Sequence, residues 1–200
     1  MVSNIDDMST EDLLKILLSR ADEPHSSENT DDSSHELSIY DDDEIILESD
    51  VGIDYSNLQK VLSKRRFRQA DKMTYDLICK AVSKPVGSYF TSEDIRYFPE
   101  ADLLTLDKLW NYYSNGMFGF TVQREFFNDA SQDLPTFKYW VGWKDNILQD
   151  HDYPADKDML EQARPGFLPC LCNWKGKVLF ITNQIIVHDF AARLDTIAPD

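Results

Sequence analysis

Phe67-Arg68-Gln69-Ala70-Asp71-Lys72-Met73-Thr74-Tyr75-Asp76-Leu77-Ile78-Cys79-Lys80-Ala81 decides the fold class. Phe67, Ala70, Met73, Leu77, Ile78 and Ala81 keep i, i+3, i+4 spacing through four turns, a pattern that a strand's two-residue alternation cannot produce. Pro85 and Gly87 end this helix, and Leu58, Val61 and Leu62 put a shorter one before it. Beyond it, Thr91-Ser92-Glu93-Asp94 caps a short helix that stops at Phe98-Pro99. Leu103, Leu106, Leu109, Trp110 and Tyr113 then form the stripe of another. Phe120 to Phe127 continue the helical pattern. A last helix, capped by Asn183, carries Ile186, Val187, Phe190, Ala191 and Leu194 on one side. No sustained alternation competes, although Val178 to Ile181 fit a short strand. The fold class is mostly α, a compact multi-helix core.

From Pro135 to Pro169 the period weakens, and aromatic residues, prolines and charges mix. Long loops inside a compact domain are either functional or disordered. This one is too aromatic for disorder, so the reading is a long irregular loop folded over a ligand groove.

The formal charge of −16 is concentrated at one end. Residues 1–50 hold 16 Asp and Glu against Lys15 and Arg20, a net of −14, while residues 51–200 hold 20 acidic against 18 basic residues. Ser9-Thr10-Glu11-Asp12 reads as a capping box for one short helix through Leu18, and the rest up to Asp50 has too little apolar surface to offset ordering entropy. The expected organisation is an acidic, largely disordered tail over residues 1–50 and a helical core over residues 51–200. The apolar islands Ile39-Tyr40 and Ile45-Ile46-Leu47 belong to that tail.

Such acidity disfavours phosphate backbones, and no Lys/Arg stripe interleaved with aromatics is present, so nucleic acid is excluded as a partner. The basic cluster Lys64-Arg65-Arg66 with Arg68 reads first as a solvated helix end. No apolar run approaches the roughly 20 residues of a membrane span, which leaves peripheral contact as the only membrane role. Cys79, Cys170 and Cys172 are an odd set, Cys79 on the apolar helix face, and the four histidines lack ligand spacing, so neither a disulfide framework nor a zinc site is expected. Glu125, Asp129 and Asp133 read as solvated helix-surface carboxylates. Without a glycine-rich phosphate loop, a nucleophile elbow or a His-x-x-x-His pair, the chain does not read as an enzyme.

Ser114-Asn115-Gly116-Met117-Phe118-Gly119-Phe120-Thr121-Val122-Gln123-Arg124-Glu125 places two phenylalanines around a glycine after an Asn-Gly turn. On chemistry alone Phe118, Phe120 and Val122 are core residues at a helix entry; a flat ligand lying close to the Gly119 backbone is the other reading.

This string closely resembles the signature of the genomes-uncoupled family, tetrapyrrole-binding proteins that stimulate magnesium chelatase in chlorophyll synthesis. Further resemblances fall in order along the chain. They are Gly52-Ile53-Asp54-Tyr55 with Leu58 and Leu62, Ala70-Asp71-Lys72-Met73-Thr74, Phe98-Pro99 with Asp102 to Trp110, Val141-Gly142-Trp143-Lys144, and Pro165-Gly166-Phe167-Leu168-Pro169. Together they span residues 51 to 196. The resemblance implies a non-enzymatic tetrapyrrole-binding regulator. Its bound ligand would be protoporphyrin IX or magnesium protoporphyrin IX, and its partner the porphyrin-binding large subunit of magnesium chelatase. A bilin-binding relative and a helical adaptor that lost its pocket remain the alternatives.

It further implies a slot between the loop near Tyr89-Phe90 and the loop from about Asp150 to Lys177, with Phe118 and Phe120 beneath. Phe90, Phe118, Phe120, Val122, Trp143, Tyr153 and Phe167 are then its apolar lining, and Lys175 and Lys177 its cations for ligand carboxylates. Tyr153-Pro154 stands where the family has tryptophan-proline, and Lys175 and Lys177 fall at or near two loop arginines. Lysine keeps the charge and loses the bidentate fork. Phe167 replaces a family histidine, and Lys157 a family phenylalanine. The N-terminus is too acidic for an ordinary transit peptide, which points to a plastid-encoded protein of the stroma or to a cyanobacterial cytoplasm. The chain is read as a monomer.

Overall fold

The computed structural model describes residues 45–143, 154–173, 177–178 and 184–197. Residues from Ile46 onward form one compact unit; of the unit before it, Met1–Ile45, only Ile45 is described. The expected capped helix, the disordered tail up to residue 44 and the Asn183 cap lie outside the described residues.

The elements are helical almost throughout. In order they are α1 Ser56–Ser63, α2 Phe67–Ala81, α3 Ser92–Arg96, α4 Glu100–Tyr113, α5 Phe120–Asp129, α6 Leu134–Val141, a 3-10 turn Asp156–Asp158 leading into α7 Met159–Gln162, a two-residue hairpin β1 Cys172–Asn173 and β2 Lys177–Val178, and α8 Gln184–Ile197. The hairpin is antiparallel, with Cys172 opposite Val178 and Asn173 opposite Lys177. Residues 179–181, the rest of the strand expected from Val178, are outside the described residues.

The centre of the core lies where α2, α4 and the turn before α5 meet. Phe67 stacks on Trp110 at 6.2 Å, and the Phe118 ring stands edge-on to both, at 5.6 and 6.4 Å. The buried face of α2 is not the purely apolar stripe of the sequence reading. Met73 and Leu77 are half-buried, whereas Asp71, Thr74 and Tyr75 are buried. Polar residues enter because each has a partner: the Trp110 indole donates to Thr74 Oγ1 at 2.9 Å, and Tyr75 donates to the Ser88 carbonyl at 2.9 Å. Counting apolar residues alone rotates the inferred face away from such positions.

α3 begins with the Thr91/Asp94 capping box, and Lys84 pairs with Asp94. Burial raises that carboxyl, but the lysine and the Thr91 bonds outweigh it and hold it below its ordinary value. α6 is the element hidden in the stretch read as irregular. Asp133 caps it by accepting from Thr136 N at 3.0 Å, and Pro135 in the first turn is pre-set for a helical start. Its sequence, LPTFKYWV, is too aromatic and too short to display a period.

α8 closes the unit against α3 and α5. Ile186, Val187, Phe190, Ala191 and Leu194 are all buried, as the stripe predicts. Phe190 stacks face to face on Phe120, with ring centroids 5.2 Å apart and planes within 3°. Arg193 fixes the other side by donating twice to the Phe98 carbonyl, at 3.1 and 3.0 Å.

Asp102 anchors the chain before α1. Its carboxylate accepts from Ser49 Oγ at 2.6 Å, Asp50 N at 2.8 Å and Tyr55 Oη at 2.8 Å. Thr105 exchanges two bonds with the Glu48 backbone. Glu48 to Asp50 are therefore tied to α4, ahead of residue 51. Burial, with the adjoining Asp102 carboxylate, pushes the Tyr55 hydroxyl well above its ordinary value. A folded value above the unfolded one means that this contribution is complete below about pH 10 and is lost as pH rises beyond it. The urea midpoint is therefore expected to fall between about pH 10 and 11, less steeply in Tyr55→Phe, and a profile flat across that range contradicts the assignment.

Candidate ligand cleft

Residues 163–171 form a strap without regular structure, held from both sides. Gly166 N donates to the Met117 carbonyl at 2.8 Å, and Gly119 N to the Leu168 carbonyl at 3.0 Å. Gln123 of α5 reaches across with its amide to the carbonyls of Gly166 and Pro169, at 3.0 and 2.8 Å. On the far side Asp71 of α2, wholly buried, accepts from Cys170 N at 2.9 Å, Leu171 N at 3.1 Å and the Cys170 thiol at 3.0 Å. The Leu168–Pro169 peptide is cis. The strap's backbone groups are thus met by the Gln123 and Asp71 side chains and by the backbone of the turn before α5, which is how an irregular segment can be buried.

Two glycines fit this join. Gly119, at φ +140°, would bring a Cβ within 2.9 Å of Asp107 Oδ1, so its missing side chain makes room for α4 rather than for a ligand. Asp107 in turn accepts from Thr121 N at 2.8 Å and from the Thr121 hydroxyl, holding the first turn of α5. Burial raises the Asp107 carboxyl, and the Thr121 bonds oppose that shift without cancelling it. Gly166, at φ +75°, would bring a Cβ within 2.9 Å of Val141 Cγ1, so only glycine lets the strap lie against the end of α6.

Between the end of α6 and the strap opens a cleft of about 400 Å³. Tyr139, Gly142 and Trp143 line one side, and Pro154, Gln162, Ala163, Arg164 and Phe167 the other. Trp143 is fixed by its indole N–H, which donates to the Phe167 carbonyl at 2.8 Å, and by an edge contact with Phe137 at 5.3 Å. Phe137 leans edge-on to Phe127 of α5 at 5.5 Å, so the wall rests on the core. Arg164 supplies the cation. Its guanidinium lies over the Tyr139 ring, 5.1 Å from the centroid, and Nη1 donates to the Tyr139 carbonyl at 2.7 Å.

Of the residues assigned from sequence, Trp143 and Phe167 meet in this cleft. Phe118 is fully buried in the aromatic centre, Phe120 is against α8, and Val122 is buried on α5. Phe90 is buried against Tyr75, 5.7 Å between centroids, and no cleft residue comes from its loop. Tyr153 and Lys175 lie outside the described residues, Lys177 is placed only by its backbone in β2, and Lys157 is exposed. Sequence reasoning missed Tyr139, Gln162, Ala163 and Arg164. The position of Arg164, next to the Pro165-Gly166 motif, was the available signal. Among the described residues no cluster of His, Cys, Asp and Glu is placed to hold a metal, and no helix is long and apolar enough to cross a membrane.

A family model described as GUN4-like matches residues 48–188. The chain belongs to the GUN4-like family. A ycf53 protein of Porphyra purpurea is 36% identical to it over 131 residues, 64% of this chain and 53% of that one. A Ycf53-like protein of Synechocystis sp. is 34% identical over 134 residues, covering 65% and 56%. A chloroplastic tetrapyrrole-binding protein of Arabidopsis thaliana is 33% identical over 149 residues, covering 69% and 55%. The chain therefore spans about half the length of these relatives. Two solved structures share the fold: GUN4 from Chlamydomonas reinhardtii, at TM-score 0.60 and 24% identity over 74% of this chain and 94% of that one, and ligand-free Arabidopsis thaliana GUN4, at 0.55 and 19% over 70% and 96%. The mostly helical class read from the sequence is the GUN4 fold.

Proposed function

We propose that this chain is a non-enzymatic tetrapyrrole-binding protein that holds protoporphyrin IX or magnesium protoporphyrin IX and regulates magnesium chelatase through its porphyrin-binding large subunit. The observation that carries the reading is the cleft between α6 and the strap in a GUN4-like chain. The residues present fit such a ligand. A volume of about 400 Å³ lies within the range of small-molecule sites, its walls are mainly apolar, and one fixed cation stands at its edge. The name of the Arabidopsis relative, a tetrapyrrole-binding protein, points the same way. Tyr153, Lys175 and Lys177 complete the site in this reading, with the lysines meeting ligand carboxylates. The core carries the binding together with Glu48 to Asp50, which are tied to α4, and the acidic residues ahead of them are dispensable for it. The place of action is the plastid stroma or a cyanobacterial cytoplasm, in keeping with a chloroplastic relative and one from Synechocystis.

Titration of the full chain with protoporphyrin IX, its magnesium complex and biliverdin tests this. A shifted Soret band and saturable tryptophan quenching are expected with either porphyrin at about micromolar Kd, roughly 8 kcal/mol of binding. Stronger binding of biliverdin would make the chain a bilin carrier. No saturation by any of them up to about 100 μM overturns the reading in favour of a ligand-free adaptor. Co-elution of the loaded protein with the chelatase large subunit tests the partner separately, and its absence removes the chelatase from the proposal.

A further inference from the structure

We propose that Arg164 is the anion receptor of the cleft, holding a carboxylate at the edge of a flat ligand whose ring lies between Tyr139 and the Trp143–Phe167 wall. The inference rests on the tetrapyrrole reading above and adds to it the residue that orients the ligand.

Three observations converge on Arg164. It is half-buried, and its guanidinium is held from two directions, by the Tyr139 ring face at 5.1 Å and by the Tyr139 carbonyl at 2.7 Å. A cation positioned in advance loses little freedom on binding. Next, the Tyr139 carbonyl takes one of the five N–H donors of the guanidinium, and no further hydrogen bond or ion pair to that guanidinium is formed among the described residues. A planar fork with donors to spare matches a carboxylate in bidentate geometry. Finally, the other lining residues offer no charge: Gln162 is the one other polar side chain besides the Tyr139 hydroxyl. In a chain of net charge −16 an anionic ligand is repelled on approach, and a local cation is what allows its carboxylate to settle here rather than elsewhere.

The test compares deuteroporphyrin IX with its dimethyl ester, in which the same ring has no charge, on the full chain and on Arg164→Gln and Arg164→Lys. For the parent, the free acid is expected to bind about tenfold more tightly than the ester. Arg164→Gln should lower that ratio severalfold by weakening the acid alone, with the remainder of the preference belonging to Lys175 and Lys177. Arg164→Lys, with charge but no fork, should fall between. If Arg164→Gln leaves the acid-to-ester ratio of the parent intact, or weakens both ligands equally, Arg164 is a structural prop and the inference fails while the tetrapyrrole reading stands. If the parent binds neither ligand, both fail together. Helical circular dichroism checks the fold of each variant. Should Arg164→Gln not fold, the ratio in Arg164→Lys decides, because an unchanged ratio there contradicts bidentate capture.

Discussion

Asp71→Ala should lower the unfolding free energy by about 4 kcal/mol and weaken porphyrin binding at least tenfold in whatever fraction stays folded. The Asp71 carboxylate is wholly buried and accepts from two successive backbone N–H groups and a thiol of the strap. Alanine leaves those donors buried without an acceptor, at about 1–3 kcal/mol for each N–H group. The effect reaches the ligand because the strap also carries Phe167 and Arg164 into the cleft. Asp71→Asn keeps the shape and one acceptor oxygen, so its loss should be about half as large. Urea denaturation of the three proteins checks this, and an alanine variant within about 1 kcal/mol of the parent would show that the strap is held by packing alone.

Phe120→Ala should cost about 3–5 kcal/mol. The ring is 2% exposed and stacked on Phe190, so truncation opens a cavity between α5 and α8 and removes an aromatic pair. Phe120 does not line the cleft, so the folded variant should bind porphyrin with affinity within about threefold of the parent. A melt like that of the parent would mean the pair contributes nothing. An affinity loss matching the stability loss would place Phe120 at the ligand, as the family resemblance implies.

These variants separate what the sequence displays from what it conceals. α2 and α8 were legible because their apolar residues recur over several turns, and local period is the one signal a sequence prints directly. α6 was not, since eight residues rich in aromatics look apolar in any conformation. Of the candidate cleft, two lining residues were legible. Trp143 and Phe167 sit in strings that resemble the family's, and the cleft brings them together. Phe118 and Phe120 sit in the most conspicuous string of all, yet they are buried in the core, because a glycine between two phenylalanines also suits a helix entry packed closely on a neighbour. Asp71 and Gln123 were concealed for a different reason. Their partners lie 99 and 46 residues away, on backbone atoms whose position depends on the whole fold.

Hydrogen–deuterium exchange of the full chain with and without saturating protoporphyrin IX tests the central claim most directly, since it reports both whether the ligand binds and where. The account predicts slower exchange in the peptides spanning residues 134–143 and 154–168, the two sides of the cleft, with the peptide around Tyr89-Phe90 unchanged. Protection centred on residues 86–98, with none at the end of α6 or along the strap, would contradict it.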